Sequence, residues 1–540
     1  MSTTSEQPVR RSHRLGDEEP RVLMGLGWPE ITVLGVLLGV GLMVLSVRKD
    51  TLGVSVGIGT AALGATLGWG HHAGRSLAVW TATHVRHALA HLLGAHRWAR
   101  QVTDGHQTHH GLLRDRVELP GELGRLHLLE TTLRDDGSDP RVGVVHDRRA
   151  DTFTATLLVR STSNFGLLGH ADQDRRLADW AGALEELARD QSPVRRIAWI
   201  ERTLPEPTNA LADELHAGLD PQLSLDLSPV RSYLELLDQA GTATDHHELL
   251  VSIQITGRRA RRHAKGRGWT RHQTALRVLA GEVDLAAQAL QQAGLDVRRP
   301  LDVNALITTI RLGLDPFSRH LLHTPTRVND PTSAGDTLTP GDIAGPASGA
   351  RADPHGGTDA STEIDRAGEL AGGARQAAWD HVLWDGSEHV TCWIARWPRQ
   401  PVRSMFLAPL LMGSQSTRAV GVVMELLGPE RGLRQAETTV ADDESNESLR
   451  WRGGRRTTRQ TAKREQANRS REDELADGHI DIRWAGYVSI AVPTGDPHER
   501  HQAVDRIKAQ AARCGLRLEV MYGQQPEALT FLLPLARGLR

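Results

Sequence analysis

Asp481–Val492 reads DIRWAGYVSIAV, a run rich in β-branched and aromatic residues that predicts a strand. Beyond it, His498–Cys514 has helical spacing, Gly515-Leu516 leads into a strand over Leu516–Met521, and Pro526–Leu535 reads as a closing helix. The same succession occurs earlier in the chain. Glu248–Thr256 (ELLVSIQIT) is a strand carrying the same VSI, at 251–253 against 488–490. Thr274–Ala293 is then a helix, Gly294-Leu295 opens a short strand at Leu295–Arg298, and Val303–Leu312 is a helix. Strand, helix, Gly-Leu, strand, helix, used twice, predicts paired ferredoxin-like βαβ halves on an antiparallel-containing sheet. The expected fold class is α+β.

Around the first copy, Arg141–Val145 and Asp151–Arg160 predict a hairpin turned at His146–Arg149, with Thr152, Thr154 and Thr156 facing out. Asp172–Arg189 is an amphipathic helix with Leu177, Trp180, Ala181, Leu184, Leu187 and Ala188 on its apolar side. Arg195–Thr203 predicts a strand and Ser228–Gln239 a helix. Around the second copy, strands are expected at Glu388–Trp397 and Ala419–Leu427, and a long exposed helix within the charged stretch Glu437–Ala476. Thr324–Gly373 is rich in Thr, Gly, Ala, Pro and Asp and lacks apolar periodicity. These readings divide the chain into a first α/β domain (111–323), a disordered linker (324–376) and a second α/β domain (377–540) with a charged insertion at 437–476.

Upstream lie two stretches too apolar for a soluble body, Ile31–Val47 (ITVLGVLLGVGLMVLSV) and Leu52–Trp69 (LGVSVGIGTAALGATLGW). A spanning helix needs about 20 mostly apolar residues, so a two-helix transmembrane hairpin is expected over 28–70, after a cytoplasmic tail at 1–27. Trp28 and Trp69 then share one membrane face, where indole prefers the interface, and the tight turn holds only Arg48 and Lys49. Arginines 10, 11, 14 and 21 before the hairpin, and 75, 86, 97 and 100 after it, place both ends in the cytoplasm by the positive-inside rule. The pairs Gly35/Gly39, Gly53/Gly57 and Gly64/Gly68 sit at helix-packing spacing, to close the hairpin or to meet other membrane subunits. A signal peptide is the competing account of the first span, but Ser46-Val47-Arg48-Lys49 is a poor cleavage site. Arg75–Arg100, within a juxtamembrane segment at 71–110, reads as an amphipathic helix lying along the membrane surface, with Leu77, Trp80, His84, Val85, Ala88 and Leu92 at helical spacing. His84, His87 and His91 share a side of it, in a region that is histidine-rich throughout.

Composition narrows the chemistry. The net charge of −2 gives no global attraction to nucleic acid or lipid, and two cysteines, Cys392 and Cys514, exclude a disulfide framework. Basicity is carried by arginine, with lysine only at 49, 265, 463 and 508, a coding bias of a high-GC genome. None of these lysines stands in GxxxxGK[ST], whose amides cradle phosphates, so ATP hydrolysis is not expected. His246-His247-Glu248 is not HExxH, and the string GxSxG at Gly53–Gly57 lies within an apolar span rather than at a strand-to-helix turn. No catalytic residue, cofactor or metal is therefore assigned. One basic cluster, Arg258, Arg259, Arg261, Arg262, Lys265 and Arg267, lies between a strand and a helix, and another occupies Arg450–Arg471. Each reads as a solvated loop, as a contact for anionic lipid or a partner's acidic face, or as a DNA contact.

The closing run, from Glu474 through Gly538, resembles the amino-terminal region of the TraC-like traffic ATPases of conjugative type IV secretion. The resemblance rests on Gly515-Leu516 before a strand, a Gly523-Gln524 turn, and Leu533-Pro534-Leu535-Ala536-Arg537-Gly538. The apolar hairpin resembles the PrgI-like membrane protein that pairs with such ATPases, and residues 111–203 resemble the soluble part of EccE-type components of actinobacterial secretion systems. The combined layout is similar to a family of actinobacterial integral membrane proteins of conjugative elements.

The resemblance implies a non-enzymatic component of a secretion machine in the cytoplasmic membrane. Its implied partners are a separate P-loop traffic ATPase and other channel subunits within an oligomeric complex. In the resembled family the motor continues from the point where this chain ends, so Phe531, Leu532, Leu535 and Arg537 are the expected docking residues. The alternatives are a membrane-tethered nucleic-acid-binding protein and an EccE-like component of a type VII-like system.

Overall fold

The two VSI segments occupy equivalent positions in one sheet. The computed structural model describes residues 28–47, 50–72, 75–99, 120–133, 140–161, 165–189, 191–205, 227–232, 245–264, 269–321, 362–364, 372–398, 402–413, 416–427, 432 and 481–539. The chain is α+β. Two apolar helices come first, α1 (Trp28–Val47) and α2 (Thr51–Trp69), the second capped by Asp50, whose carboxylate accepts from the Gly53 amide at 2.9 Å. Two-residue strands β1 (His71–His72) and β2 (Arg75–Ser76) turn the chain into α3 (Leu77–Leu92). The helix expected over Arg75–Arg100 is shorter. Gly94, at φ +69°, turns the chain, and Arg97–Ala99 form strand β3.

The first unit comprises β4 (Leu126–Thr132), β5 (Arg141–Asp147), β6 (Thr152–Ser161), α4 (His170–Leu187), β7 (Val194–Pro205), β8 (Asp245–Thr256), the short α5 (Gly257–His263), α6 (Arg271–Gln292), β9 (Leu295–Pro300) and α7 (Val303–Leu314). After it, β10 (Thr362–Ile364) is a strand within the stretch expected as linker and β11 (Ala374–Ala377) a strand across its end, and 322–361 and 365–371 lie outside the described residues. The second unit comprises β12 (Val382–Trp384), β13 (Ser387–Arg396), α8 (Ala408–Leu411), β14 (Thr417–Leu427), β15 (Asp481–Pro493), α9 (Pro497–Arg513), β16 (Arg517–Val520) and α10 (Gln525–Leu529). The charged stretch Glu437–Ala476, the second arginine cluster and most of Ser228–Gln239 lie outside the described residues.

The strands run β10-β4-β5-β6-β8-β7-β14-β15-β13-β12-β11-β3, with β9 also on β6 and β16 also on β13, every pair antiparallel. Within the first unit the spatial order β9-β6-β8-β7 corresponds to fourth, first, third and second strand. The order β16-β13-β15-β14 repeats it. Register carries the repeat to single residues. Val251 pairs with Leu157 on one side and Trp199 on the other, and Val488 pairs with Cys392 and Val420. The next residues inward, Ile200 and Gly421, pair with each other across β7–β14, so a pseudo-two-fold axis passes through that pair. The segments expected as two separate bodies thus share one sheet.

Each unit ends its long helix the same way. Gly294 at φ +78° closes α6 and Gly515 at φ +73° closes α9, conformations that cost a side-chain-bearing residue strain. A capping box at Thr270 and Gln273 starts α6. The repeat fails in the first crossover, where α4 has only the single turn of α8 as its counterpart.

Both faces of the sheet are covered. On one, α4 and α6 bury Leu184, Leu276, Leu279 and Val283 against Phe153, Ile197, Val251 and Ile253, and α9 buries Ala503 and Ile507 against Cys392, Val488 and Ile490. On the other, α7 packs Leu306 and Ile310 on Val145, Ile200 and Leu250, together with Leu529, Leu533 and Leu535 from the carboxy-terminal segment. Thr152, Thr154 and Thr156 therefore do not face water as strand alternation alone suggests. They are buried, with the Thr156 hydroxyl 2.9 Å from that of Ser252 and Thr154 accepting from Gln254. Alternation assigns two faces but does not say that the second is wet.

Candidate functional site

α3 joins the apolar helices to the sheet, and its two sides differ in chemistry. Residues at i, i+3, i+4 and i+7 share a helix face, and Trp80, Thr83, His84 and His87 form such a set. That face meets the loop residue Trp379 and the segment after β16. The Trp80 ring lies 6.4 Å from Trp379 and 6.0 Å from Tyr522, and Trp379 lies 4.3 Å from His84 and 5.0 Å from His87 between ring centroids. Gly523 makes the approach possible. It sits at φ +66° and donates its amide to the Trp379 carbonyl at 2.6 Å, and a Cβ there would meet Trp379 at 2.5 Å and Thr83 at 2.8 Å. At the rim Arg86 pairs with Glu527 at 3.0 Å, an exposed contact of small value. Past the helix, β3 pairs with β11, and Arg375 donates to the Ala95 carbonyl at 2.8 Å while pairing with Glu122 at 2.6 Å.

The histidines of this region form a ladder. His87 and His91 lie 4.5 Å apart, and His91 stacks on His96 at 4.1 Å between centroids. Burial holds the His87 imidazole below its ordinary pKa, and the neighbouring imidazoles of His91, His84 and His96 push the same way. Among the described residues no group of three or more His, Cys, Asp or Glu is placed to hold a metal ion.

Ser387, Asp315 and His389 are buried together, yet the Ser387 hydroxyl donates to Asp315 while His389 Nε2 bonds the Leu314 carbonyl at 2.7 Å. The imidazole does not serve the hydroxyl, and burial pushes it down to about 4. Burial raises the Cys392 thiol to about 12 and raises that of Cys514, so neither is a nucleophile at neutral pH. Burial alone would also raise the Glu248 carboxyl, but Arg202 and His246 hold it down to about 2 in a structural ion pair.

The residues singled out in the sequence fall in several places. Gly53, Gly57, Gly64 and Gly68 are buried along one side of α2. A Cβ on Gly57 would meet Leu45 at 2.7 Å, and one on Gly64 would meet Leu37 at 3.2 Å. Gly35 and Gly39 do not join them, since a Cβ on either would meet nothing within 4 Å. The side of α1 that meets α2 is set by Leu34, Leu37, Gly41 and Leu45, and Gly41 makes the close approach, with Thr60 at 2.7 Å and the Gly57 carbonyl at 3.1 Å from a Cβ built there. Trp28 opens α1, Trp69 closes α2 with its side chain half exposed, and Arg48 and Lys49 lie outside the described residues.

The first arginine cluster divides. Arg259 donates to the Val194 carbonyl at 2.6 Å and Arg261 pairs with Asp151 at 3.6 Å, whereas Arg258 and Arg262 are exposed. Lys265 and Arg267 lie outside the described residues.

The docking surface expected of the carboxy-terminal segment is corrected by burial. Phe531, Leu532 and Leu535 are core residues, and Arg537 donates to the Glu122 carbonyl at 2.7 Å and pairs with Asp147 at 2.5 Å. This segment crosses the seam between the units: Gln254 donates to the Leu535 carbonyl at 3.0 Å, Arg196 to that of Leu539 at 2.7 Å, and Tyr487 to that of Gly538. Sequence reading missed Trp379, Tyr522 and Gly523 as the seat of α3; the available signal was an aromatic beside a Gly-Gln turn.

Among the described residues one helical stretch, Glu30–Val47, is long and apolar enough to cross a membrane, and Gly53–Trp69 is apolar but shorter. No family model and no curated protein matches the chain.

Proposed function

We propose that this protein is a non-enzymatic membrane platform of a conjugative, type IV-like secretion machine, seating a separate P-loop traffic ATPase at the cytoplasmic membrane face. The observation that carries the reading is the layout itself. Two apolar helices are followed at once by a helix seated on a large sheet made of two units of like strand order, and the arginine–carboxylate pairs Arg202–Glu248 and Arg537–Asp147 brace that sheet. In this reading α1 and α2 insert as a hairpin closed by Gly41, Gly57 and Gly64, both termini are cytoplasmic, and the protein is a multi-pass component of the cell membrane. The β9-β6-β8-β7 and β16-β13-β15-β14 units are ferredoxin-like bodies duplicated around Ile200 and Gly421, which supports descent from one scaffold unit. Its partners are the ATPase, further channel subunits and the bilayer, and it takes no cofactor.

Affinity purification of the full chain from its own membranes tests this. A P-loop ATPase is expected to co-purify, and the isolated chain is expected to turn over no ATP. Turnover by the isolated chain, or complexes consistently lacking any P-loop ATPase, refutes the proposal. A reporter fused after residue 110 is expected to be active only in a cytoplasmic assay.

A further inference from the structure

The side of α3 turned away from the sheet is apolar and uncovered. Val85, Leu89 and Leu92 follow one another on that side, about half a turn of the wheel from Trp80, His84 and His87, and Leu93 adjoins them at the helix end. Leu92 is 83% exposed, Leu93 80% and Leu89 51%. The same side begins at Ala78, which is buried at 3%, and α3 touches both α1 and α2. Leu77 abuts Gly70 at the end of α2, and its amide donates to the Gly70 carbonyl at 2.8 Å. At its start α3 thus adjoins the apolar helices, and α1 carries outer residues Val36, Leu42 and Met43 that are all more than 60% exposed.

We infer that α3 is a two-sided clamp, its Trp80–His84–His87 side seated on Trp379 and Tyr522 and its Val85–Leu89–Leu92 side lying in the interfacial layer of the same bilayer that receives α1. The occupant is lipid because α3 starts directly at the end of α2, in contact with the span-length apolar helix α1, so an exposed apolar side of α3 leaves the bilayer where an interfacial helix would lie. The inference rests on insertion of α1. It adds that the great sheet is held against the membrane in one orientation rather than hanging from a free stalk, since the opposite side of α3 and strand β3 both bind the sheet.

The test uses the full chain reconstituted in vesicles of phosphatidylcholine and phosphatidylglycerol. Cys392→Ala and Cys514→Ala provide the background, and single cysteines introduced by Leu92→Cys, Leu42→Cys or Glu499→Cys carry an environment-sensitive fluorophore. Glu499 is exposed on α9 and reports water. Quenching by lipids brominated near the headgroup is read against quenching by aqueous iodide. The Leu92→Cys label is expected to show iodide quenching reduced at least about threefold relative to Glu499→Cys, with strong quenching by shallow brominated lipid, as burial ~5–10 Å below the surface requires.

If Leu42→Cys is lipid-quenched while Leu92→Cys is as open to iodide as Glu499→Cys, the clamp is wrong and insertion stands. If Leu92→Cys is shielded from iodide and untouched by brominated lipid, a protein covers the stripe and the inference falls. If Leu42→Cys is itself open to iodide, insertion fails and the clamp fails with it.

Discussion

Gly421 is where the duplicated architecture pays for its asymmetry, and substituting it gives a prediction with a definite size. Its counterpart Ile200 carries a full side chain on the same face, fully buried beneath α7. At Gly421 that space is taken by Leu532: a Cβ there would stand 2.7 Å from Leu532 Cδ2, 3.4 Å from Ile200 Cγ1 and 3.5 Å from the Trp199 carbonyl. Carbon atoms prefer about 3.5–4.0 Å, so one of the two must move. Leu532 is 3% exposed and packed with Tyr487, Ala528 and Phe531, so it has no open direction in which to swing. Gly421→Ala is expected to incur overpacking of about 1–3 kcal/mol, offset by about 0.4–1 kcal/mol from the stiffer unfolded chain. Leu532→Ala alone should cost about 2–5 kcal/mol as a cavity. In the double variant the alanine at 532 vacates the space the new Cβ enters. The two losses should then fall short of additivity by on the order of 1 kcal/mol or more. Urea unfolding of the full chain in detergent, followed by tryptophan fluorescence, supplies all four corners of the cycle. Additivity within about 0.5 kcal/mol would refute the claim that the carboxy-terminal segment is wedged over Gly421.

The remaining predictions concern burial and charge. His389 has its imidazole pushed from 6.5 down to about 4; the neutral form is the one the fold favours, so its stability contribution is complete above pH 6.5 and is lost as pH falls toward 4. Between about pH 7.5 and pH 5 that group alone should remove about 2 kcal/mol, and His389→Gln should flatten the slope of the urea midpoint against pH in that window; an unchanged slope overturns the assignment. Arg537→Ala leaves Asp147 and the Glu122 carbonyl without their partner and should cost about 1–3 kcal/mol, while Arg258→Ala, exposed on α5, should change the same midpoint by no more than about 0.5 kcal/mol. A chain truncated after Tyr522 loses Leu529, Leu533 and Leu535 from the core and is expected to fail to fold, read as loss of cooperative unfolding; a folded truncation would mean that this segment is dispensable to the sheet.

How much was legible depended on whether the signal was local. The VSI segments and the glycines at 294 and 515 were readable because a buried central strand and a left-handed helix stop each dictate their own residue types. The pairing of β7 with β14 was not, because an antiparallel ladder between segments more than 200 residues apart leaves no spacing in either of them. The same holds for the three threonines of β6, whose alternation is genuine but whose outer face is covered by chain arriving from residues 303–314 and 529–536. In the apolar helices glycine spacing offered candidates on several sides, and only the leucines at 34, 37 and 45 decide that Gly41, rather than Gly35 or Gly39, meets α2.

The cost of that non-locality fell on the docking residues. Phe531, Leu532 and Leu535 carry the composition of a binding helix, and composition cannot distinguish a partner from the chain's own sheet. Since the carboxy-terminal segment is buried in joining the two units, the proposed motor partner would meet this chain elsewhere. Arg258 and Arg262 are exposed beside the fixed pair Arg259 and Arg261, so their guanidinium groups stand on a helix whose position is already set by Asp151 and the Val194 carbonyl. A preorganised cationic edge of that kind steers an acidic partner mainly through its on-rate. If the proposed ATPase partner is captured, Arg258→Glu with Arg262→Glu should therefore slow its association at low salt and leave the urea midpoint of the chain in place, whereas equal association rates for the parent and the variant would remove α5 from the contact.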